Sequence, residues 1–395
     1  MTPPPTHQTR IPAAVWALGF VSLLADIGSE MVHSLLPVFL VTVAGASMVT
    51  VGLIEGVAES TALIVKVFSG ALSDYIGKRK PLALLGYALG AASKPLFAVA
   101  GSADLVFGAR LIDRIGKGIR GAPRDALVAD IAPPNLRGAA FGLRQSLDTV
   151  GAFAGPLLAA ALMLLWANDF KAVFWVATIP AALSVAVLAL GVREPAPSSA
   201  ARRGNPIRRE NLVRLTRAYW WVVAIGAALT LARFSEAFLV LRLHQGGLAL
   251  AHAPLVLVAM NAVYAVCAYP FGKLADRTDS STLLGWGIAA LLAADAMLAW
   301  SNHWTWGWAG VCLWGAHLAM TQGLLAAMVA RTAPADLRGT AFGLFNLASG
   351  ASMLVASTVA GAVWHFHGAP ATFAVGTGFG LVALLLLFAR PADRS

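Results

Sequence analysis

The chain has 395 residues, 58% of them hydrophobic and only 12% charged, with a formal net charge of +10. Water-soluble domains of this composition would lack the polar surface to cover themselves, so most of the chain must be solvated by lipid. The basic residues fall in short segments between apolar runs and form no stripe interleaved with aromatics, which argues against a nucleic-acid partner; the two cysteines lie inside apolar runs, which excludes a disulfide framework or a C-x-x-C metal or redox site.

The opening M-T-P-P-P-T-H-Q-T-R is unlike the start of a signal peptide and reads as a retained cytoplasmic tail. A membrane-crossing helix needs about 20 mostly apolar residues. Six such runs, helices 1 to 6, are predicted over 12–42, 50–72, 81–100, 104–126, 137–165 and 170–192. A polar, basic, Pro- and Ser-bearing stretch follows over 193–216 and reads as a cytoplasmic linker. Helices 7 to 12 are predicted over 217–243, 253–275, 281–301, 305–330, 337–363 and 369–389. The predicted fold class is an all-α membrane protein of twelve transmembrane helices, with an N-terminal six-helix bundle (1–192), the linker and a C-terminal six-helix bundle (217–395).

The two halves resemble one another. A-P-P-N-L-R-G-A-A-F-G-L at 132–143 returns 201 residues later as A-P-A-D-L-R-G-T-A-F-G-L at 333–344, and G-A-L-S-D at 70–74 returns as G-K-L-A-D at 272–276. Lysine and arginine concentrate in alternate loops, around Lys78, Arg79 and Lys80, around Arg137, and around Arg277, Arg331 and Arg338, while the opposite loops carry only Lys171. Because cytoplasmic loops hold the basic excess, both termini are predicted to be cytoplasmic. Trp300, Trp304, Trp306 and Trp308 then fall at the outer ends of helices 9 and 10, where indoles anchor in the interface.

Away from the ends of the predicted spans lie eight acids: Asp26, Glu30, Glu55, Glu59, Asp113, Asp148, Glu236 and Asp295. Seven bases accompany them: Lys66, Lys94, Arg110, Arg114, Lys117, Arg144 and Arg233. Facing lipid each would be costly, so they are expected to face one another or a water-filled cavity. Arg110, Asp113, Arg114 and Lys117 form one stripe on helix 4; Asp26 and Glu30 share a face of helix 1 with His33 further along; Arg144 with Asp148 and Arg233 with Glu236 make pairs on helices 5 and 7. The expected cavity set is Glu59, Lys66, Arg110, Lys117, Arg144, Asp148, Arg233 and Glu236, joined by His317 and Asn346. No metal site is assigned; His365 and His367 have no acid or cysteine beside them.

These features resemble the major facilitator superfamily, whose members have two six-helix halves around a central site. Gly70, Leu72, Asp74, Gly77, Arg79 and Lys80 resemble the superfamily's loop motif between helices 2 and 3, with a weaker copy at Gly272, Leu274, Asp276 and Arg277. The resemblance implies a conformational latch in which Asp74 helps hold the cytoplasmic side closed. Gly142, Gly151, Gly155 and Pro156 on helix 5 resemble the G-x8-G-x3-G-P motif of the proton-coupled drug exporters, although Ala159 and Ala160 stand where that pattern ends in glycines. The helix 4 motif R-x-x-Q-G is met in two registers, Arg110-x-x-Asp113 or Arg114-x-x-Lys117-Gly118, of which the second keeps the glycine.

The implied function is a secondary active transporter working by alternating access, exporting a small organic molecule against proton entry, with no cofactor beyond the proton gradient. The proton-coupling candidates are Asp26, then Glu30, with Asp113 and Arg114. The alternative is a symporter importing an organic anion, metabolite or metal chelate. A membrane-embedded enzyme finds no support in a G-x-S-x-G, H-E-x-x-H or P-loop pattern and leaves the repeat unexplained; a non-transporting sensor would bind without flux. The expected setting is a monomer in a bacterial inner membrane.

Overall fold

Inside hydrocarbon every backbone N–H and C=O needs a partner within the chain, so apolar runs of this length must be helical. In the computed structural model, which describes residues 10–133, 136–194, 214–275, 278–301, 303–334 and 337–389, they are, and no strand occurs among the described residues. The spans are α1 (Ala13–His33, resuming as Leu36–Thr42), α2 (Met48–Ile76), α3 (Lys80–Val99), α4 (Ala103–Ile131), α5 (Arg137–Leu165) and α6 (Phe170–Gly191). After them come α7 (Arg217–Ala232, resuming as Ala237–Gln245), α8 (Leu255–Ala275), α9 (Ser280–Trp300) and α10 (Trp304–Thr332). The last helical stretch, Arg338–Phe388, is interrupted by a non-helical Gly368 at φ +82°, giving α11 (338–367) and α12 (369–388). Helices 11 and 12 are thus joined by one left-handed residue, a conformation that glycine adopts without strain.

Polar residues just outside the apolar runs set the starts. Ser47, Ser102 and Thr216 each accept a hydrogen bond from the backbone N–H three residues on. The long α2 ends where Gly77 turns left-handed at φ +68°. Hydropathy finds every span except α4, whose charged stripe dilutes its apolar character.

In the first half α1 packs on α5 and α6, α4 on α2 and α3, and α3 on α6. The same pairings recur six helices later: α7 lies against α11 and α12, α10 against α8 and α9, and α9 against α12. The halves meet chiefly along α2 and α11, where glycines remove the side chains that would hold the helices apart. A Cβ on Gly52 would stand 2.3 Å from the Ser357 carbonyl oxygen, and one on Gly361 would stand 2.4 Å from that of Met48.

One end of this interface is sealed. The resumed pieces of α1 and α7 bury Leu36 to Leu40 and Ala237 to Leu243 against each other, and the turn Leu250–His252 packs on α5. At the end carrying the basic loops α8 stands apart: Ala265, Val266, Tyr269, Pro270, Gly272, Lys273 and Leu274 are exposed, on more than one face of the helix. On the sealed side Arg242 bonds the carbonyls of Leu298 (2.7 Å), Ala299 (3.2 Å) and Ser301 (2.6 Å), placing a cation on the C-terminal end of α9. Trp300 and Trp306 are largely exposed on this side, whereas Trp304 and Trp308 pack against the core.

Candidate functional site

The α4 stripe is the spine of the site, because residues three and four apart on a helix project from one face. Arg110, Asp113 and Arg114 are all buried by the neighbouring helices. Arg110 reaches Glu55 (3.0 Å) and Glu59 (3.2 Å) on α2; Arg114 reaches Glu59 (3.1 Å) and, with Nη2, Asp113 (2.8 Å). Lys94 of α3 closes on the other oxygen of Asp113 at 2.6 Å and donates to Ser29 of α1. His33 lies between Glu30 (3.3 Å) and Glu55 (3.8 Å). Four acids and three bases are thereby interlocked across α1 to α4, with His33 supplying the balance when it is charged.

Among the described residues this network is hydrogen-bonded to the second half at Ser235. Between Ala232 and Ala237 the α7 backbone leaves the helix, and Ser235, held there through its N–H by Ser357 of α11 (3.1 Å), donates its hydroxyl to Glu55 at 3.1 Å. The polar run Arg233-Phe234-Ser235-Glu236 inside an otherwise apolar segment was the available signal for this break, although it contains neither glycine nor proline.

Beside the network lies a cavity of about 290 Å³ bounded by both halves. Glu30, His33, Glu59, Arg114, Lys117 and Ala152 line it from the first half, and Arg233, Phe234, Ser235, Glu236, Asn261, Leu318, Gln322 and Met353 from the second. Lys117, at mid-length of α4, is exposed there. Of the residues expected at a cavity, Glu59, Lys117, Arg233 and Glu236 line it, as do Glu30 and Arg114. His33 was visible only as a neighbour of Glu30, and Asn261 and Gln322 carried no signal in the sequence.

The other expected residues lie elsewhere. Asp26 sits with Arg120 (3.4 Å), nearer the basic-loop end. Asp148 is within reach of Arg124 (3.6 Å) and Arg144 (3.4 Å), and these three with Asp125 form a second ionic cluster inside the first half. Arg110 and Asp113 stand behind the cavity wall, and the stem of Lys66 lies against Gly121. His317 is fully buried, its Nδ1 2.7 Å from the Gly287 carbonyl, and Asn346 is half-buried on α11. Asp295, also fully buried, has no hydrogen-bond partner on either oxygen among the described residues.

The glycine motifs divide by position. A Cβ on Gly151 would stand 2.6 Å from the Leu23 carbonyl oxygen, and one on Gly155 2.8 Å from that of Ile27, so both bring α5 onto the α1 backbone that carries Asp26 and Glu30. Pro156 follows directly and is buried. A Cβ on Gly142 would meet nothing within 4 Å. Near the end of α2, Gly70 faces Ala122; in the loop that follows, Arg79 reaches Asp130 and Ser73, and the carboxylate of Glu194 receives the backbone N–H groups of Arg79 and Lys80, which open α3. The side chain of Asp74, and Asp276 and Arg277, lie outside the described residues; Gly272 meets nothing within 4 Å.

His33, Glu55 and Glu59 bring three ligand atoms within 4.8 Å of one another. Arg110 already donates to both carboxylates, so the site is filled by a guanidinium.

A family model described as the Major Facilitator Superfamily matches residues 18–348 and 242–395. The chain belongs to this superfamily. An uncharacterized MFS-type transporter of Methanocaldococcus jannaschii is 31% identical over 95% of this chain and 94% of its own length. The multidrug resistance protein MdtH of Yersinia pestis is 30% identical over 40% of this chain and 38% of its own. The crystal structure of a mutant of the nucleoside transporter NupG superposes with a TM-score of 0.80 at 13% identity, covering 95% of this chain and 99% of that one, which shows the shared fold. Membership makes this a multi-pass membrane transporter for a small molecule, and the cavity between its halves is the candidate binding site.

Proposed function

We propose that the protein is a secondary active transporter that alternates access to the central cavity by rocking its two halves, and that it exports a small organic molecule in exchange for protons. The observation that carries this reading is the cavity itself: a charged vestibule shared by both halves, sealed at one end, with the acid Glu30 in its wall and His33 linking that acid to the Glu55–Ser235 contact between halves. A proton arriving at the Glu30–His33 pair changes the charge beside the contact that must break when the sealed end opens, which couples protonation to conformation. The direction of export is supported by the helix 5 motif and by the similarity of part of the chain to a multidrug resistance protein. Glu30 is assigned the proton, with Asp26 beyond it on the same helix. The basic-loop end is the cytoplasmic end, and the inner membrane of a bacterium is the proposed setting.

Import of an organic anion together with a proton is the second reading, favoured by Lys117 and Arg233, for which no ion-pair partner is found among the described residues. Flux in proteoliposomes under an imposed pH gradient tests both. Exchange predicts that protons and substrate move oppositely and that Glu30→Gln abolishes gradient-driven flux while the protein remains folded. Co-movement of protons and substrate selects import, and undiminished coupled flux in Glu30→Gln rejects the proton assignment.

A further inference from the structure

The charges facing the cavity are not equally satisfied. Glu30 has His33 at 3.3 Å, Glu59 has Arg110 and Arg114, and Arg114 has Asp113 as well. Lys117 has no carboxylate within 4.0 Å among the described residues. Neither has Arg233, whose Nη1 is buried without a hydrogen-bond partner. Against these two bases stands one acid, Glu236, with no basic side chain within 4.0 Å among the described residues, three residues from Arg233 on the same broken segment. With His33 charged, so that the network beside it is balanced, the vestibule holds a surplus of one positive charge. The two bases belong to opposite halves, Lys117 to α4 and Arg233 to the α7 break. Phe234, Leu318 and Met353 add an apolar surface to the same cavity.

We propose that the cavity takes a small organic monoanion, its carboxylate bridging Lys117 and Arg233 and its apolar body resting on Phe234, Leu318 and Met353. An anion there satisfies the buried Nη1 of Arg233, which lacks a hydrogen-bond partner among the described residues, and a bidentate fork is the geometry in which arginine meets a carboxylate. By bonding to both halves, it contributes differently to states in which the halves stand differently, as a transported molecule must. The volume of about 290 Å³ lies at the small end of the range for ligand pockets, which limits the body to a compact one. This assignment deepens, and rests on, the transporter reading above.

Three probes with one apolar body and three charges test it: 4-phenylbutyrate, 4-phenylbutanamide and 4-phenylbutylamine, added to the purified full-length protein in detergent, with affinity and unfolding temperature as readouts. The carboxylate is expected to raise the unfolding temperature and to bind at least tenfold more tightly than the amide or the amine. Lys117→Met and Arg233→Met should each weaken it at least tenfold, and Lys117→Arg and Arg233→Lys should recover much of the loss. Lys117 is exposed, so its variants carry the test even where Arg233→Met fails to fold. Amine bound as tightly as carboxylate, failure of all three to bind, or Met variants that melt like the parent and bind 4-phenylbutyrate unchanged would each overturn the proposal. Proteoliposome flux separates the two claims: a carboxylate that binds through Lys117 but is never moved leaves the site standing and removes the transporter, whereas flux of the amine without carboxylate binding does the reverse.

Discussion

Asp113 and Glu30 are both intramembrane acids, and the physics assigns them different work. Asp113 is almost fully buried and holds Lys94 at 2.6 Å and Arg114 at 2.8 Å. Removing one partner of such a cluster leaves uncompensated buried charge, at a cost of about 3–5 kcal/mol. Asp113→Asn should accordingly lower the unfolding temperature and the yield of folded protein before any effect on transport can be read. Glu30→Gln, at the cavity wall, should leave the unfolding temperature near that of the parent and be seen in pH-driven flux. The helix 4 stripe was legible in the sequence because its spacing of three and four residues repeats on one face. Its partners were not: Arg110 chooses Glu55 and Glu59, and Asp113 chooses Lys94, through contacts between helices that no spacing within one helix encodes. Asp26 shows the same limit, since its place on helix 1 was clear but its neighbour Arg120 was not.

Among the elements, α5 offers an internally controlled experiment. Gly151 and Gly155 stand where a Cβ would press on the α1 backbone, and α1 would have to move to admit one. Gly151→Ala and Gly155→Ala should each cost about 1–3 kcal/mol, the usual range for overpacking, read as a fall in unfolding temperature. Gly142→Ala, at the start of the same motif, has open space around it and should be neutral or slightly stabilising. The motif was thus visible in the sequence as a pattern, while the division of labour within it was not, because only the facing helix decides which glycine is crowded. The spans themselves were legible to within a few residues, since hydrocarbon thickness and backbone hydrogen bonding leave little choice. The breaks were less so: the α7 interruption lacks the glycine or proline that ordinarily announces one, and the sharp α11–α12 turn hides in a single glycine.

At the scale of the whole molecule, the sealed end and the separated end define one state of the alternating cycle. Lys117→Cys, with Cys267 and Cys312 replaced by alanine, should react with a membrane-impermeant thiol reagent supplied at the basic-loop end and resist it from the other side. Labelling from both sides at equal rates would mean that the seal formed by the outer pieces of α1 and α7 does not persist in the membrane. The twofold repetition of helix pairings was foreshadowed by the repeated segments at 132–143 and 333–344. The uneven distribution of charge, dense in the first half and sparse in the second, was equally plain from the sequence.

The Gly368 turn has a bearing on how the protein meets its surroundings. Where two helices are joined by a single residue, there is no strand of loop for a protease to thread into its active site or for an antibody to grasp. The face that bears this turn also buries Arg242 under helix-end carbonyls, leaving Lys171 as the one accessible lysine or arginine near that surface among the described residues. Trypsin supplied to that face of sealed vesicles meets only Lys171, held in the first turn of α6, and should leave the polypeptide intact, whereas trypsin at the opposite face meets the lysines and arginines of the basic loops and should cut it.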